Sequence, residues 1–240
     1  MAEWLLSCCE VFENLNFTEI SFRTNLLTFF LLLVKMDLDI GGIVKDIPIT
    51  WRNSDLWLAA ACIMFNPLFW NAVARWEYRT HSLTHYCGSA KRGCYMLAVV
   101  IVLLGLFRDY RFEKAISSQP IADVLCADHV QICGSLLILT GTVLVLSSFL
   151  SLGILGTFLG DYFGILLDQK VTGFPFSVMD NPMYWGSTMN FLGYSLRQCS
   201  PTGLALTALV AVCYKIALLF EEPFTERIYE EKKMREKKVD

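Results

Sequence analysis

The chain has 240 residues, of which 55% are hydrophobic and 18% are charged, so it holds more apolar groups and fewer charges than a typical soluble domain. This composition predicts a protein whose main solvent is the lipid bilayer. The formal net charge of −3 provides no basic field, which excludes nucleic-acid binding. The nine cysteines cannot all pair into disulfides, because their number is odd, and we expect them to pack as small apolar side chains.

Residues 1–54 mix charges with an apolar run, Leu26 to Val34, that is too short to span a bilayer. We expect this segment to be an amphipathic or poorly ordered extension. It contains an N-glycosylation sequon, Asn16-Phe17-Thr18, which would be modified only if this end of the chain faced the lumen.

The first segment of spanning length is Leu56 to Ala74, but Asn66-Pro67 interrupts its middle, and proline removes a backbone hydrogen bond. Trp57 and Trp70 add a preference for the membrane interface. Two interpretations are open. The segment crosses the bilayer as a fourth span, or it enters the bilayer and leaves on the same side.

Three further segments are predicted to cross. Cys94 to Phe107 is short, but long basic side chains at both of its ends can reach the headgroups. Val130 to Gly160 carries no charge and, as a helix, exceeds the roughly 30 Å hydrocarbon core. Thr202 to Phe220 is the last span. The sequence therefore predicts an all-α, polytopic membrane helical bundle, with three transmembrane helices plus one intramembrane or fourth crossing segment.

Four glycines at the end of the long central segment would share one helical face at spacings of three, four and four: Gly153, Gly156, Gly160 and Gly164. They indicate either helix packing through a groove of small residues or a backbone surface that is bared for a ligand. Residues 161–200 are too apolar for a free loop and too interrupted for a span, so we expect them on or partly within the interface.

The distribution of lysine and arginine predicts the orientation. There are six after residue 220 and three in 108–129, against four in 75–93 and two in 161–200. With the tail and the 109–129 loop on one face, the positive-inside rule places the tail in the cytosol. The four N-terminal cations join that face if Leu56 to Ala74 crosses, so the count favours four full crossings.

Two constellations could carry chemistry. Glu221-Glu222 stand before Pro223 at the exit of the last span, where they either end the helix or bind a cationic ligand. The stretch from Asp180 to Gly186 brings a polar turn to aromatic residues. His81 and His85 share a helical face, but no third ligand accompanies them, so no metal site is predicted.

Five stretches carry a resemblance to a known family: Phe65 to Asn71, Ala74 to Glu77, Gly156 to Gly164, Asp180 to Thr188 and Glu221 to Thr225. In this order they resemble the vertebrate phosphatidylethanolamine N-methyltransferases, a family of integral-membrane phospholipid methyltransferases. The resemblance implies a variable extension at 1–54, a membrane-embedded methyltransferase domain at 55–230 and a charged cytosolic tail at 231–240.

The resemblance also implies a reaction and a location. The implied enzyme moves three methyl groups in turn from S-adenosylmethionine to phosphatidylethanolamine, through the mono- and dimethyl derivatives, to give phosphatidylcholine. Its implied location is the endoplasmic reticulum membrane, including the mitochondria-associated membrane. The last residues, Lys237 to Asp240, resemble a dilysine retrieval signal, which is read from the cytosol.

In that family the cofactor is assigned to a pair of glutamates, which are Glu221 and Glu222 here. It is also assigned to a G-x-G in the third hydrophobic segment. That position reads Leu139-Thr140-Gly141 in this chain, so only Thr140 and Gly141 carry over.

The implied reaction moves positive charge from a sulfonium to the lipid nitrogen, and aromatic faces stabilise such cations by about 0.5–2 kcal/mol each. The candidates for this are Tyr162, Phe163, Tyr184 and Trp185. The amine must also lose its proton, for which Asp180 or Glu77 are the candidate bases. Alternatives are a methyltransferase for another lipid or for prenylated protein, and a non-enzymatic scaffold or lipid-handling protein.

Overall fold

The computed structural model describes residues 49–167 and 171–236, and none of these residues forms a strand. The description below concerns the compact unit that begins at Thr50. The apolar run from Leu26, the Asn16 sequon and the Lys237-Lys238 pair lie outside the described residues.

Four long helices dominate the described part of the chain. The helices are α1 (Ser54–Thr80), α2 (Ser82–Cys87), α3 (Ala90–Ser117), α4 (Asp128–Thr157), α5 (Pro182–Arg197) and α6 (Pro201–Glu236), with 3-10 turns at Asp123–Cys126 and Gly160–Phe163. By length and composition, α1, α3, α4 and α6 can each cross a membrane. The predicted all-α, polytopic membrane bundle is confirmed.

Helix α1 is not broken at Pro67. It begins at Asn53, whose side chain accepts from the backbone N–H groups of Asp55 and Leu56, and it continues for 27 residues. Asn71 Nδ2 donates to Pro67 O at 3.1 Å within the same helix. An unbroken helix of this length measures about 40 Å, which favours the interpretation of α1 as a fourth crossing.

The long central helix ends earlier than predicted and is kinked. Gly153 has non-helical angles, φ 65° and ψ −178°, and α4 stops at Thr157. Gly160 begins a 3-10 turn and Gly164 ends it with φ 75°. The prediction that four glycines line one helical face is therefore wrong. Two of them instead supply positive φ angles, which cost L-residues roughly 1–2 kcal/mol.

Helix α5 runs antiparallel to α4 along a seam of glycines. A Cβ added to Gly141 would lie 2.5 Å from Gly186 O. One added to Gly193 would lie 2.5 Å from Gly134 O. The two backbones thus touch along the uncharged part of α4. The expectation that this region lies at the interface is wrong for α5, because α5 shares the depth of a spanning helix.

The return of α5 defines a first face of the bundle, called the disulfide face here. Thr50 N donates to Gln119 Oε1 at 2.8 Å. Ala122 N donates to Cys199 O at 2.9 Å, and Cys199 forms a disulfide with Cys126. The expectation that the cysteines only pack is wrong for this pair. The disulfide face comprises residues 50–53, 118–127 and 198–200.

The opposite face, called the tail face, holds the other helix ends. Cys94 Sγ donates to Phe158 O at 3.3 Å, and the Tyr78 ring meets the Phe224 ring at 5.1 Å. The tail face comprises residues 77–93, 158–167, 171–181 and 220–236. The tail therefore shares a face with 75–93, and its predicted grouping with the 109–129 loop is wrong because α5 crosses back.

Candidate active site

Glu221 lies at the centre of a polar cluster where α6 meets α1 and α5 on the tail face. Its Oε1 accepts from Trp70 Nε1 and from Asn71 Nδ2, each at 2.7 Å. Its Oε2 accepts from the Tyr184 hydroxyl at 2.6 Å. Three donors from two other helices thus hold one carboxylate in a single orientation.

The local sequence of α1 and α5 determines where these three donors lie on their helices. Trp70 and Asn71 are consecutive residues in the turn of α1 that follows Pro67. Tyr184 lies in the first turn of α5, which starts at Asn181 with φ 54° and has proline in its first turn, where no N–H is needed. The Tyr184 ring also meets the Tyr214 ring edge-on at 4.9 Å. This contact braces the hydroxyl against Glu221.

Two further carboxylates lie nearby. Glu222 is exposed, and its Oε1 accepts from Asn181 Nδ2 at 2.5 Å. Asp161 Oδ2 accepts from Thr225 Oγ1 at 2.9 Å, and Asp161 is close enough to Glu221 to act on it electrostatically. Helix α6 continues through Pro223 to Glu236, so the alternative that these acids end a helix is wrong.

The predicted aromatic candidates separate into different places. Tyr162 is fully buried and stacks on Phe224 with 4.9 Å between the ring centroids, and Tyr184 contacts Glu221. Phe163 packs instead in an apolar cluster with Cys94 and Leu97. Trp185 is half buried in the first turn of α5. The structure therefore brings Tyr162 and Tyr184 together near the acids, but not Phe163.

The acceptors of this cluster fit a cationic ligand. Asn71 Nδ2 donates to both Pro67 O and Glu221 Oε1, which fixes the orientation of its amide. Asn71 Oδ1 is then a buried acceptor without a protein partner. A buried acceptor is costly unless something donates to it. A positively charged N–H donor would satisfy Asn71 Oδ1 and balance the carboxylates.

The two predicted bases have different surroundings. Glu77 is fully buried, and its carboxylate accepts from Leu83 N at 2.6 Å, Thr84 N at 3.1 Å and Thr84 Oγ1 at 2.5 Å. It therefore caps the first turn of α2. Asp180 is exposed and directly precedes Asn181 at the mouth of the cluster.

The remaining predicted cofactor residues lie on α4. Gly141 belongs to the glycine seam with Gly186, and Thr140 is exposed. Leu139 is 62% exposed on the outer surface of the helix. The packing of α4 therefore does not require a glycine at position 139. Among the described residues, no hydrogen bond joins Thr140 or Gly141 to Glu221.

Sequence reasoning missed the contribution of α1. Trp70, Asn71 and Arg75 all contact residues 220–224, yet none was assigned a function. The available signal was the pair of asparagines at 66 and 71 inside an apolar span, because polar groups there are expensive and usually functional.

This geometry defines a class of protein: a multi-pass helical membrane protein with a hydrogen-bonded carboxylate cluster at one face of the bundle. The family model described as Phospholipid methyltransferase matches residues 130–232, which contain most of α4, all of α5 and most of α6. The chain belongs to the phospholipid methyltransferase family and is an enzyme of this kind. No solved structure gives a significant match.

The chain is similar over most of its length to curated enzymes. It is 55% identical to phosphatidylethanolamine N-methyltransferase of Rattus norvegicus, over 74% of this chain and 89% of the relative. It is 54% identical to phosphatidyl-N-methylethanolamine N-methyltransferase of Saccharomyces cerevisiae, over 74% of this chain and 86% of the relative. The corresponding values for phosphatidylethanolamine N-methyltransferase of Homo sapiens are 53%, 72% and 87%.

Proposed function

We propose that this chain methylates the nitrogen of phosphatidylethanolamine three times in succession, with S-adenosylmethionine as the donor, and so produces phosphatidylcholine. The names of relatives at 53–55% identity support the lipid and the reaction. The observation that carries the proposal is the Glu221 carboxylate, oriented by three donors beside stacked aromatic rings at the tail face.

The acceptors of the cluster suit the donor molecule. S-adenosylmethionine, when bound, supplies a methyl group on a positively charged sulfur. Glu221 and Asn71 Oδ1 would accept hydrogen bonds from its ammonium group, and Glu222 would add negative charge at the mouth. A hydrogen bond to a charged group contributes about 1.5–3 kcal/mol. Thr140 and Gly141 remain predicted cofactor contacts, with Gly141 acting through the seam that positions α5.

The lipid amine must be neutral before it can attack. An amine with a pKa near 10 is neutral in roughly 0.1% of molecules at pH 7, so a proton acceptor is needed. Asp180 is the better candidate of the two predicted bases, because it is exposed at the mouth of the cluster, whereas Glu77 is fully buried. The rings of Tyr162, Tyr184 and Trp185 would stabilise the cationic nitrogen of the methylated products.

We place the tail face in the cytosol and the protein in the endoplasmic reticulum membrane, including its mitochondria-associated part. The described tail face carries seven lysines and arginines, at positions 79, 91, 92, 227, 232, 233 and 235. The disulfide face carries one, at position 52. The positive-inside rule favours a cytosolic tail, and a disulfide on the opposite face suits an oxidising lumen.

The experiment is a substrate comparison with the purified full chain in nanodiscs. Phosphatidylethanolamine, its monomethyl form and its dimethyl form are offered separately with radiolabelled donor, and the products are resolved by chromatography. The proposal expects label in all three methylated lipids from phosphatidylethanolamine alone. Transfer only to the methylated forms would restrict the enzyme to the later steps. Transfer to none of the three lipids would refute the proposal.

A further inference from the structure

Arg75 lies beside the Glu221 cluster but takes no part in it. Its Nη2 donates to Phe220 O at 2.6 Å, across the contact between α1 and α6. Its guanidinium carbon lies 4.6 Å from the centroid of the Phe224 ring. The Tyr162 hydroxyl is close enough to both Arg75 and Glu221 for each charge to act on it.

The Phe224 ring fixes the guanidinium in place. Tyr162 stacks on Phe224 at 4.9 Å with 15° between the ring planes, and so covers one of its faces. Arg75 lies over the same ring, with its guanidinium carbon 4.6 Å from the centroid. Tyr78 meets the edge of Phe224 at 5.1 Å. Arg75 is therefore held against a packed ring instead of moving freely in solvent.

This arginine has unused binding capacity. Unlike Arg108, which pairs with Asp109, and Arg111, which pairs with Asp55, Arg75 forms no ion pair with another of the described residues. A guanidinium has five N–H donors, of which Phe220 O takes one. None of the other guanidinium nitrogens is buried without a partner, and the residue is partly exposed. These donors are therefore available to an oxyanion from solvent.

The positive charge of Arg75 lies beside acceptors that fit a cation, and this restricts the kind of ligand that binds well. A positive charge at Arg75 opposes the binding of a simple amine, but it favours a molecule that carries an anion next to its ammonium group. Glu221 and Arg75 present opposite charges that do not neutralise one another as an ion pair. The fork of a guanidinium also matches the paired oxygens of a phosphate or a carboxylate.

We propose that Arg75 binds the oxyanion of a zwitterionic ligand whose ammonium group is held at the Glu221 cluster. The oxyanion is either the phosphodiester of the lipid headgroup or the carboxylate of the donor's amino-acid part. This inference deepens the proposed function and rests on it. It makes Arg75 the residue that selects zwitterions over simple amines.

The test uses the full chain in nanodiscs with R75Q, R75K and a control, R79Q. Arg79 is exposed one turn further along α1, so R79Q removes the same charge outside the site. Equilibrium dialysis with radiolabelled S-adenosylmethionine measures donor binding in the absence of turnover. Initial rates measure KM for phosphatidylethanolamine and kcat at saturating lipid.

A phosphodiester ligand predicts that R75Q raises KM for the lipid at least tenfold, with donor binding and kcat within threefold of the parent. A carboxylate ligand predicts that donor binding weakens at least tenfold. R75K keeps the charge and should retain part of the lost affinity, and R79Q should lie within twofold of the parent.

The proposal is overturned if R75Q leaves both donor binding and lipid KM within twofold of the parent, whether or not the melting temperature falls. If R75Q does not fold, R75K decides the question, because loss of the planar fork should still change one constant at least threefold. A parent that binds the donor but methylates none of the three lipids would refute the proposed function, and the dialysis arm would then still test whether Arg75 binds the carboxylate of the donor.

Discussion

The Tyr184 hydroxyl on α5 donates a hydrogen bond to Glu221 Oε2 on α6 at 2.6 Å. This contact joins the helix that returns along α4 to the helix that leaves the bundle, and so couples the glycine seam to the candidate active site. Trp70 and Asn71 complete the arrangement from α1. The site therefore depends on helices from both ends of the described chain.

Replacing Tyr184 with phenylalanine should weaken donor binding. The change removes one of three donors to Glu221 while keeping the ring contact with Tyr214. A hydrogen bond to a charged group contributes about 1.5–3 kcal/mol, which corresponds to a loss of roughly ten- to a hundredfold. Equilibrium dialysis with labelled donor measures it. Y86F is the control, since Tyr86 is 86% exposed, and equal affinity in Y184F and Y86F would contradict the prediction.

Replacing Gly186 with alanine should destabilise the pairing of α4 and α5. The new Cβ would lie 2.6 Å from Gly141 O and 2.9 Å from Leu144 Cβ, so the helices must separate. Overpacking of this kind costs about 1–3 kcal/mol. In contrast, G105A should keep or raise stability, because a Cβ at Gly105 meets nothing within 4 Å. Thermal unfolding in detergent compares the two variants, and a G186A protein as stable as G105A would argue against the seam.

Restoring glycine at position 139 should not improve cofactor binding. Leu139 is 62% exposed and faces away from the seam, so L139G only removes a side chain that points outward from the helix. We expect donor affinity within twofold of the parent and a loss of stability of about 1 kcal/mol from glycine in a helix. L139A is the control for the lost side chain. A fivefold or greater gain in affinity by L139G alone would show that position 139 contacts the donor.

Cysteine labelling should place the two faces on opposite sides of the membrane. In a background that keeps only Cys126 and Cys199, D123C reports the disulfide face and M234C reports the tail face. A membrane-impermeant maleimide should label M234C in sealed microsomes, but D123C only after permeabilisation. Labelling of both residues in sealed microsomes would mean that α5 does not cross.

Local signals were sufficient to predict the spanning helices. The absence of charge over a long stretch is a property of each segment alone, so α3, α4 and α6 could be recognised without knowledge of their neighbours. The return of α5 along α4 could not be recognised in this way. It depends on the register between two segments, in which Gly134 faces Gly193 and Gly141 faces Gly186. The error in α5 also produced the wrong grouping of the tail with the 109–129 loop.

The candidate site was predictable only where it is local. Glu221 and Glu222 stand out as paired acids at the end of an apolar run. Their hydrogen-bond partners could not be recognised from the sequence, because Asn71 is 150 residues away from Glu221 in the chain. The function of Glu77 as a cap for α2 likewise requires the turn at His81, where φ is 52°.

The central claim is that Glu221 binds the methyl donor for transfer to phosphatidylethanolamine. The most direct test is transfer of radiolabelled methyl from S-adenosylmethionine into phosphatidylethanolamine by the parent, E221Q and E226Q, with the amount of folded protein matched. Glu226 is exposed on the same helix and serves as the control. We expect mono-, di- and trimethylated lipid from the parent and E226Q, and at least a hundredfold less from E221Q. Equal rates in E221Q and E226Q would contradict the account.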